Sequence, residues 1–255
     1  MLIRLRKYNF LFSELVKRDF KKKYKRTVLG MLWSMIGPLL QLLVMSLVFT
    51  QFFGRNTPHY TTYLFSGNLV FSYFKEATTG GMQSLMENSS VITKINVPKY
   101  MFLLSKNVSA LLNFVLTLCV FFVFCAFDHI TFSIRFTMLL YPIVVLLVFN
   151  IGVGMILSAL FIMFRDIQYL YDIFTLLLMY LSAIFYKTDT YPQNIQYLFY
   201  LNPVYVIIRY FRLIVLEGRV PALSFHLLAA AYALLAVALG ALMYKKLNYK
   251  FVYYM

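Results

Sequence analysis

The chain has 255 residues, of which 62% are apolar, and its formal net charge at pH 7 is +15. A soluble domain has roughly 45–50% apolar residues, and here the excess forms long uncharged blocks, so a water-soluble globular fold is excluded. The positive charge does not indicate a nucleic-acid partner, because ten of the 24 Lys and Arg residues precede position 28, where they suit a membrane surface.

The first predicted element is a basic amphipathic helix in residues 1–27. Apolar side chains recur at every fourth position, the spacing of one helix face, at Tyr8, Phe12, Val16, Phe20 and Tyr24. The basic residues nearest the first apolar block are Lys21, Lys22, Lys23, Lys25 and Arg26. The pattern predicts a helix in the inner membrane interface. A basic flank that only fixes topology is the alternative.

Six blocks between positions 28 and 245 are predicted to cross the membrane. A span needs about 20 mainly apolar residues, and four blocks meet this without a charge: 28–53, 108–127, 136–164 and 225–244. Two more carry charges: 63–85, with Lys75 and Glu76, and 167–186, with Asp172. Lipid offers the backbone no hydrogen-bond partners, so these lengths indicate helices rather than strands. The fold class is all-α, a polytopic membrane protein of one domain, 1–255, with the tail at 246–255.

The distribution of positive charge predicts the orientation. An even number of spans places both termini on the same side, and the positive-inside rule assigns that side to the cytoplasm. On this topology 17 Lys and Arg residues lie inside, six lie outside, and Lys75 lies within the bilayer.

Two inner connections are candidates for docking a partner. The first, 87–100, is the only sizeable polar inner loop between spans, and its candidate residues are Asn88, Lys94, Asn96 and Pro98. The second is tight, with Arg165 and Asp166 as its only charges. A structural ion pair or a helix cap at Asp166 is the alternative there.

The segment between spans five and six predicts short re-entrant helices on the outer side. The apolar run 204–215 is too short to cross a core of about 30 Å, and it carries Arg209 and Arg212. Asn202 followed by Pro203 is a helix-start signal. We expect 192–215 to form an outer gate, with both arginines towards an exit path or the lipid headgroups. A simple extracellular plug is the alternative.

The sequence contains no recognisable catalytic chemistry. Its three histidines, His59, His129 and His226, are far apart in sequence, and neither a metal-ligand spacing nor a nucleophile motif is found. It also lacks a G-x-x-x-x-G-K-[ST] phosphate loop. We therefore expect a chain that is not an enzyme, binds no metal or cofactor, and depends on a partner for any use of ATP.

Lys75 is costly to bury in lipid, so it should face a water-filled path or pair with an acid.

Several motifs, taken in order, resemble those of the permease subunits of polysaccharide-exporting ABC transporters of the ABC-2 type, which export O-antigen, capsule or teichoic acid. The first motif runs from the basic helix into the first span. The second follows the fourth span, the third ends the fifth span, and the fourth lies in the outer segment. They are Lys23, Tyr24, Leu29, Gly30, Leu32, Trp33 and Pro38; Arg165 and Asp166; Phe185 and Tyr186; and Asn202, Pro203 and Arg212. Length, span number and termini agree over essentially the whole chain.

The resemblance implies a homodimer in the bacterial inner membrane that binds two copies of an ABC ATPase. ATP and Mg²⁺ would act through that partner, and the substrate would be a polyprenyl-pyrophosphate-linked glycan such as O-antigen. A coupling helix on the ATPase would fall within 88–100. The basic residues 21–26 would meet the substrate headgroup, and the channel or gate would include Lys75, Tyr186, Asn202, Pro203, Arg209 and Arg212. An ABC permease for teichoic acid, another lipid or a drug is the alternative, and an ion-coupled carrier belongs to a different class.

Overall fold

The computed structural model describes residues 8–25, 27–54, 58–95, 97–247 and 251. Within this part of the chain all regular structure is helical, which confirms the all-α prediction. The α-helices, numbered in chain order, are α1 (Asn9–Tyr24), α2 (Trp33–Phe49), α3 (Tyr60–Glu87), α4 (Ser89–Ile92), α5 (Tyr100–Phe127), α6 (Leu140–Met163), α7 (Ile167–Leu181), α8 (Gln193–Phe199), α9 (Pro203–Val215) and α10 (Leu223–Leu247).

In the part of the chain that the structure describes, four helical segments are long and apolar enough to cross a membrane. They are Gly30–Gly54, which contains α2, Tyr100–Phe127, Ile134–Met163, which contains α6, and Leu223–Leu247. These correspond to the four uncharged blocks of the sequence. The chain is therefore an all-helical membrane protein with several spans.

Helix α3 is the centre of the bundle. It packs against α5 and α6 along most of its length and also touches α2, α7 and α9. Its 28 residues extend roughly 42 Å, so length does not prevent it from spanning. Its polar residues distinguish it from the other long helices, and many of them are buried in the bundle, among them Asn68 and Thr78.

Small residues let the long helices approach closely. A Cβ atom placed on Gly152 of α6 would lie 2.5 Å from backbone atoms of Ala236 and Val237 in α10. Gly81 of α3 faces Gly154 of α6, where an added Cβ would lie 3.1 Å from the Gly154 Cα. Packing through small residues is how helices associate in lipid, where no hydrophobic force drives them together.

The fifth predicted span is shorter than expected. Its helix, α7, ends at Leu181 instead of Tyr186 and has only 15 residues, roughly 22 Å. The chain then turns through Ala183, whose φ of 49° is left-handed, so the predicted end of this helix is wrong by five residues. After it, α8 and α9 form a pair bent by 105°, and α9 packs against α3 and α10.

Helix α1 lies against α5 at one end of the bundle. Leu15 of α1 belongs to a buried cluster with Phe102 of α5 and Tyr244 of α10, while Phe10 is largely exposed. We call this end, formed by α1, α4 and the start of α5, the basic end. The opposite end, formed by residues 58–59, 134–135, 187–189 and 216–219, is called the far end.

Candidate functional site

A buried carboxylate joins α1 to α5 at the basic end. The side chain of Asp19 is 2% exposed and lies 2.8 Å from Nη2 of Arg18 and 3.6 Å from Nζ of Lys106. The hydroxyl of Ser105 donates a hydrogen bond to the second carboxylate oxygen at 3.1 Å. A buried charge is tolerated only where such partners surround it. Asp19 therefore fixes where α1 sits on α5.

The same network reaches the beginning of the predicted docking loop. Glu87, the last residue of α3, lies 2.9 Å from Lys106 and 3.3 Å from Lys22. Burial by itself raises the pKa of the Glu87 carboxyl, but the two lysines hold that pKa below its ordinary value. Asn88 accepts a hydrogen bond from Nη2 of Arg18 at 2.8 Å and donates one to the Ser84 carbonyl at 2.7 Å.

Asn88 was predicted to dock a partner, and this role stays a prediction. Its side chain is buried because both ends of its amide bind inside the bundle. The exposed part of the loop follows α4 and includes Lys94 and Ile95, while Pro98 is half-buried. Asn96 lies outside the described residues.

Arg165 and Asp166 are both exposed in the connection between α6 and α7. Neither side chain forms an ion pair or hydrogen bond with a residue that the structure describes, and Asp166 precedes α7 without a side-chain capping bond. Neither structural alternative is therefore observed. Ile167 and Met86, near the end of α3, pack against the same buried cluster around Met82, which brings this connection close to the docking loop.

The basic residues proposed for the headgroup divide into two groups. Lys22 pairs with Glu87 and Lys23 pairs with Glu76, at 3.3 and 2.9 Å. Lys21 and Lys25 are exposed and form no ion pair within the described part of the chain. Arg26 lies outside it. Lys22 and Lys23 thus already take part in holding α1 to α3.

Lys75 lies on the exposed face of α3, and its neighbour Glu76 points to another face. Glu76 binds Lys23 and accepts a hydrogen bond from Asn113 of α5 at 2.6 Å. Lys75 is exposed and has no ion pair among the described residues. Of the two outcomes predicted for Lys75, pairing with an acid is not observed. Ser72, one helical turn away, is exposed too, so this face of α3 is polar.

A cavity of about 550 Å³ lies between α2, α3 and α5 beside that polar face. Its polar lining includes Gln41, which donates a hydrogen bond to Asn68 at 3.3 Å, and its aromatic lining includes Trp33 and Tyr73. Amides, hydroxyls and aromatic rings are groups that can bind sugar hydroxyls and sugar faces.

Asn202 and Pro203 begin α9 as predicted. The Asn202 side-chain oxygen accepts hydrogen bonds from the backbone N–H groups of Val204 and Tyr205, and Pro203 is the first helical residue. The Asn202 amide also donates to the Ser182 hydroxyl at 3.0 Å. Asn202 therefore caps the start of α9 and also joins α9 to the end of α7.

Arg212 was expected to face an exit path or the headgroups, and the structure places it, buried, in the wall of a far-end cavity. The residue is 2% exposed. It donates hydrogen bonds to the carbonyls of Ala183, Ile184 and Tyr63 at 2.8, 3.0 and 3.2 Å, and its guanidinium carbon lies 3.5 Å from the centre of the Tyr63 ring. The turn after α7 leaves carbonyls without helical partners, and Arg212 binds them.

Arg209, one turn before Arg212, lies at a far-end cavity and pairs with Glu217 at 2.6 Å. Tyr186 is half-buried, and its hydroxyl donates to the Tyr180 carbonyl at 2.9 Å. Tyr63 in turn donates to the Tyr186 carbonyl at 2.6 Å. Of the predicted channel or gate residues, all but Lys75 thus lie near the place where α3, α7 and α9 meet.

Sequence reasoning missed Asp19 and Asn113. Asp19 stands among lysines and arginines in α1. An acidic residue at that place in a basic amphipathic helix could have indicated a buried ion pair. Asn113 lies in an apolar span, where polar residues are expensive. In the part of the chain that the structure describes, no group of three or more His, Cys, Asp or Glu side chains could hold a metal ion.

Comparison with known proteins agrees with this architecture. A family model described as ABC-2 type transporter matches residues 11–216. Two proteins named O-antigen export system permease protein RfbA, both from Klebsiella pneumoniae, are 28% and 27% identical to the chain over 254 residues, covering 96% of the chain and 96% of each relative. A protein of the same name from Myxococcus xanthus is 29% identical over 222 residues, covering 85% of the chain and 84% of the relative.

Proposed function

The chain belongs to the ABC-2 type transporter family, and from this premise we propose that it is the membrane subunit of an ATP-driven exporter of lipid-linked O-antigen or a similar polysaccharide. The names of three relatives that match along most of the chain support this substrate class. The family supplies the membrane component of a transporter, so ATP and Mg²⁺ act at a separate ATPase subunit. The absence of a phosphate loop from the sequence agrees with this division.

The observation that carries the proposal is the exposed position of Lys75. It lies roughly 22 Å from the start of α3 and roughly 18 Å from its end, at 1.5 Å per residue. A charged group at that depth needs water or a partner, and Lys75 has no ion pair among the described residues. A water-filled path along this face of α3 satisfies it. The cavity beside Trp33 and Gln41 adds groups that suit a passing glycan.

The position of Lys75 also supports a homodimer. Because Lys75 lies on the outside of a single chain, one chain alone cannot enclose the path that it requires. A second copy facing the same side of α3 would enclose it. In this assembly α7 is the fifth of six spans despite its length, α3 is the second, and the bent pair of α8 and α9 is re-entrant.

The orientation follows from charge. We place the basic end in the cytoplasm with both termini, and α1 in the inner membrane interface, where Lys21 and Lys25 face anionic headgroups. Each basic residue near such a surface contributes about 1 kcal/mol. Exposed Lys94, Ile95, Arg165 and Asp166 then face the ATPase, and the far end with its gate residues faces the periplasm.

The coupling assignment predicts that Ile95→Glu abolishes export while the protein still inserts in the membrane. Ile95 is 52% exposed, and burial of such a side chain in an interface is worth about 1.5–3 kcal/mol, or at least a tenfold change in ATPase binding. The measurements are surface polysaccharide and co-purification of the ATPase. Ile134→Glu, at the far end, is the matched control and should retain both. Normal export by the Ile95 variant would contradict the assignment.

The function itself is tested by depletion. Cells that lose this protein should accumulate lipid-linked glycan on the cytoplasmic side and lose it from the surface, and a plasmid copy should restore export. The measurement is lipid-extracted glycan compared with surface glycan. If lipid-linked glycan fails to accumulate and surface glycan persists, the proposed substrate is wrong.

A further inference from the structure

A cavity of about 440 Å³ at the far end has an excess of positive charge. It lies between the start of α3, α9 and the loops at 187–189 and 216–219. Its charged lining consists of Lys187, Asp189, Arg209, Arg212, Glu217 and Arg219. His59 also lines it but pairs with Asp128 at 2.9 Å. The four cations exceed the two carboxylates by two charges.

The cations at this cavity have hydrogen-bond donors to spare. A guanidinium carries five N–H groups. Arg209 uses Nη1 on Glu217 at 2.6 Å, and its side chain forms no other hydrogen bond with a described residue. The second Glu217 oxygen accepts from Arg219. Lys187 has neither a hydrogen bond nor an ion pair to a described side chain. Several N–H groups at this cavity therefore have no acceptor within the described part of the chain.

Hydrogen bonds and burial hold part of the cavity wall in place. Arg212 forms part of the lining but uses its own donors on the carbonyls of Ala183, Ile184 and Tyr63, so it contributes charge rather than a free donor. Tyr205 lines another wall, and its hydroxyl is 2.8 Å from that of Thr188. The Arg209 side chain is only 22% exposed, which limits the water that could screen its charge.

We propose that this cavity binds a phosphate-type dianion and that its ligand is the pyrophosphate headgroup of the exported lipid-linked glycan. A pyrophosphate diester carries two negative charges, equal to the excess on the lining, and its oxygens accept the charge-assisted bonds that arginine and lysine donate. The assignment to the lipid headgroup rests on the proposed function, whereas the anion site does not. On this proposal the far end retains the headgroup while the glycan leaves.

The test is binding to the purified protein together with its ATPase partner. Inorganic pyrophosphate and farnesyl diphosphate are titrated while the thermal unfolding temperature and direct binding by calorimetry are measured. Lys187→Gln combined with Arg219→Gln should weaken binding at least tenfold without lowering the unfolding temperature of the unliganded protein. Lys245→Gln is the matched control, because Lys245 is an exposed cation of α10 outside the lining, and this variant should bind both probes as the unmodified protein does.

The outcomes separate the site from the function. Tighter binding of farnesyl diphosphate, lost in the double variant, supports the lipid headgroup as ligand. Equal binding of both probes, lost in the same variant, supports the anion site and overturns the headgroup assignment. Absence of binding by either probe, or unchanged binding in the double variant, overturns the whole inference. Because these measurements need no export, they stand apart from the depletion experiment.

Discussion

Arg212→Leu is expected to prevent assembly of a stable protein. The substitution removes the arginine donors from the carbonyls of Ala183, Ile184 and Tyr63. The Tyr63 and Ser66 hydroxyls still donate to the carbonyls of Ala183 and Tyr63 at 3.3 and 2.8 Å, so the Ile184 carbonyl is the one that keeps no donor among the described residues. An unsatisfied buried group costs about 1–3 kcal/mol, and the loss of three charge-assisted hydrogen bonds adds to that cost, against the 5–15 kcal/mol that stabilises a typical fold. The measurements are the unfolding temperature in detergent and the amount of surface polysaccharide, and both should fall sharply.

Two further variants distinguish the cause. Arg212→Lys keeps the charge but cannot place donors on three carbonyls at once, so it should recover only part of the stability. Arg165→Leu removes an exposed arginine whose side chain binds no described residue, and it should leave the unfolding temperature close to that of the unmodified protein. An Arg212→Leu protein as stable as the Arg165 variant would show that the buried arginine is not needed for the fold.

Gly152→Ala is expected to separate α6 from α10. The added methyl group would lie 2.5 Å from backbone atoms of Ala236 and Val237, and backbone cannot move aside as a flexible side chain does. The helices must shift by roughly 1 Å, and overpacking of this kind typically costs 1–3 kcal/mol. We expect a lower unfolding temperature and reduced surface polysaccharide, although alanine favours helix by up to about 1 kcal/mol over glycine.

Gly80→Ala is the matched control, since it makes the same substitution inside another long helix, α3. The nearest side-chain atom to its added methyl group is Cβ of Lys106 at 3.7 Å, an ordinary contact. The helix preference of alanine then acts alone, so this variant should be as stable as the unmodified protein or slightly more stable. Equal stability of the two alanine variants would contradict the close approach of α6 and α10.

The parts of the fold that the sequence predicted depend on local chemistry. Uncharged blocks indicate spans because lipid excludes charge, and the start of α9 was readable because Asn202 and Pro203 satisfy the first N–H groups of a helix by themselves. These signals require only neighbours in sequence. The six-span count, which depends on α3 and α7, stays a prediction.

The corrections concern side chains whose partners are distant in sequence. Nothing near Arg212 indicates that its donors bind a turn almost thirty positions earlier, so Arg212 was expected, like Arg209, to face an exit path or the lipid headgroups. The end of α7 was placed at Tyr186 because apolar composition continues past Leu181, where the backbone turns. Asn88 was read as a loop residue, whereas its amide binds Arg18 of α1.

The most direct test of the central claim is transport of lipid-linked glycan in inverted inner-membrane vesicles that contain this protein and its ATPase partner. If the chain is the permease, ATP should move the glycan into the vesicle lumen, where it resists an added glycosidase. Vesicles with the Ile95→Glu protein should leave the glycan accessible. Protection of the glycan that is equal with and without ATP, or equal with and without this protein, would contradict the account.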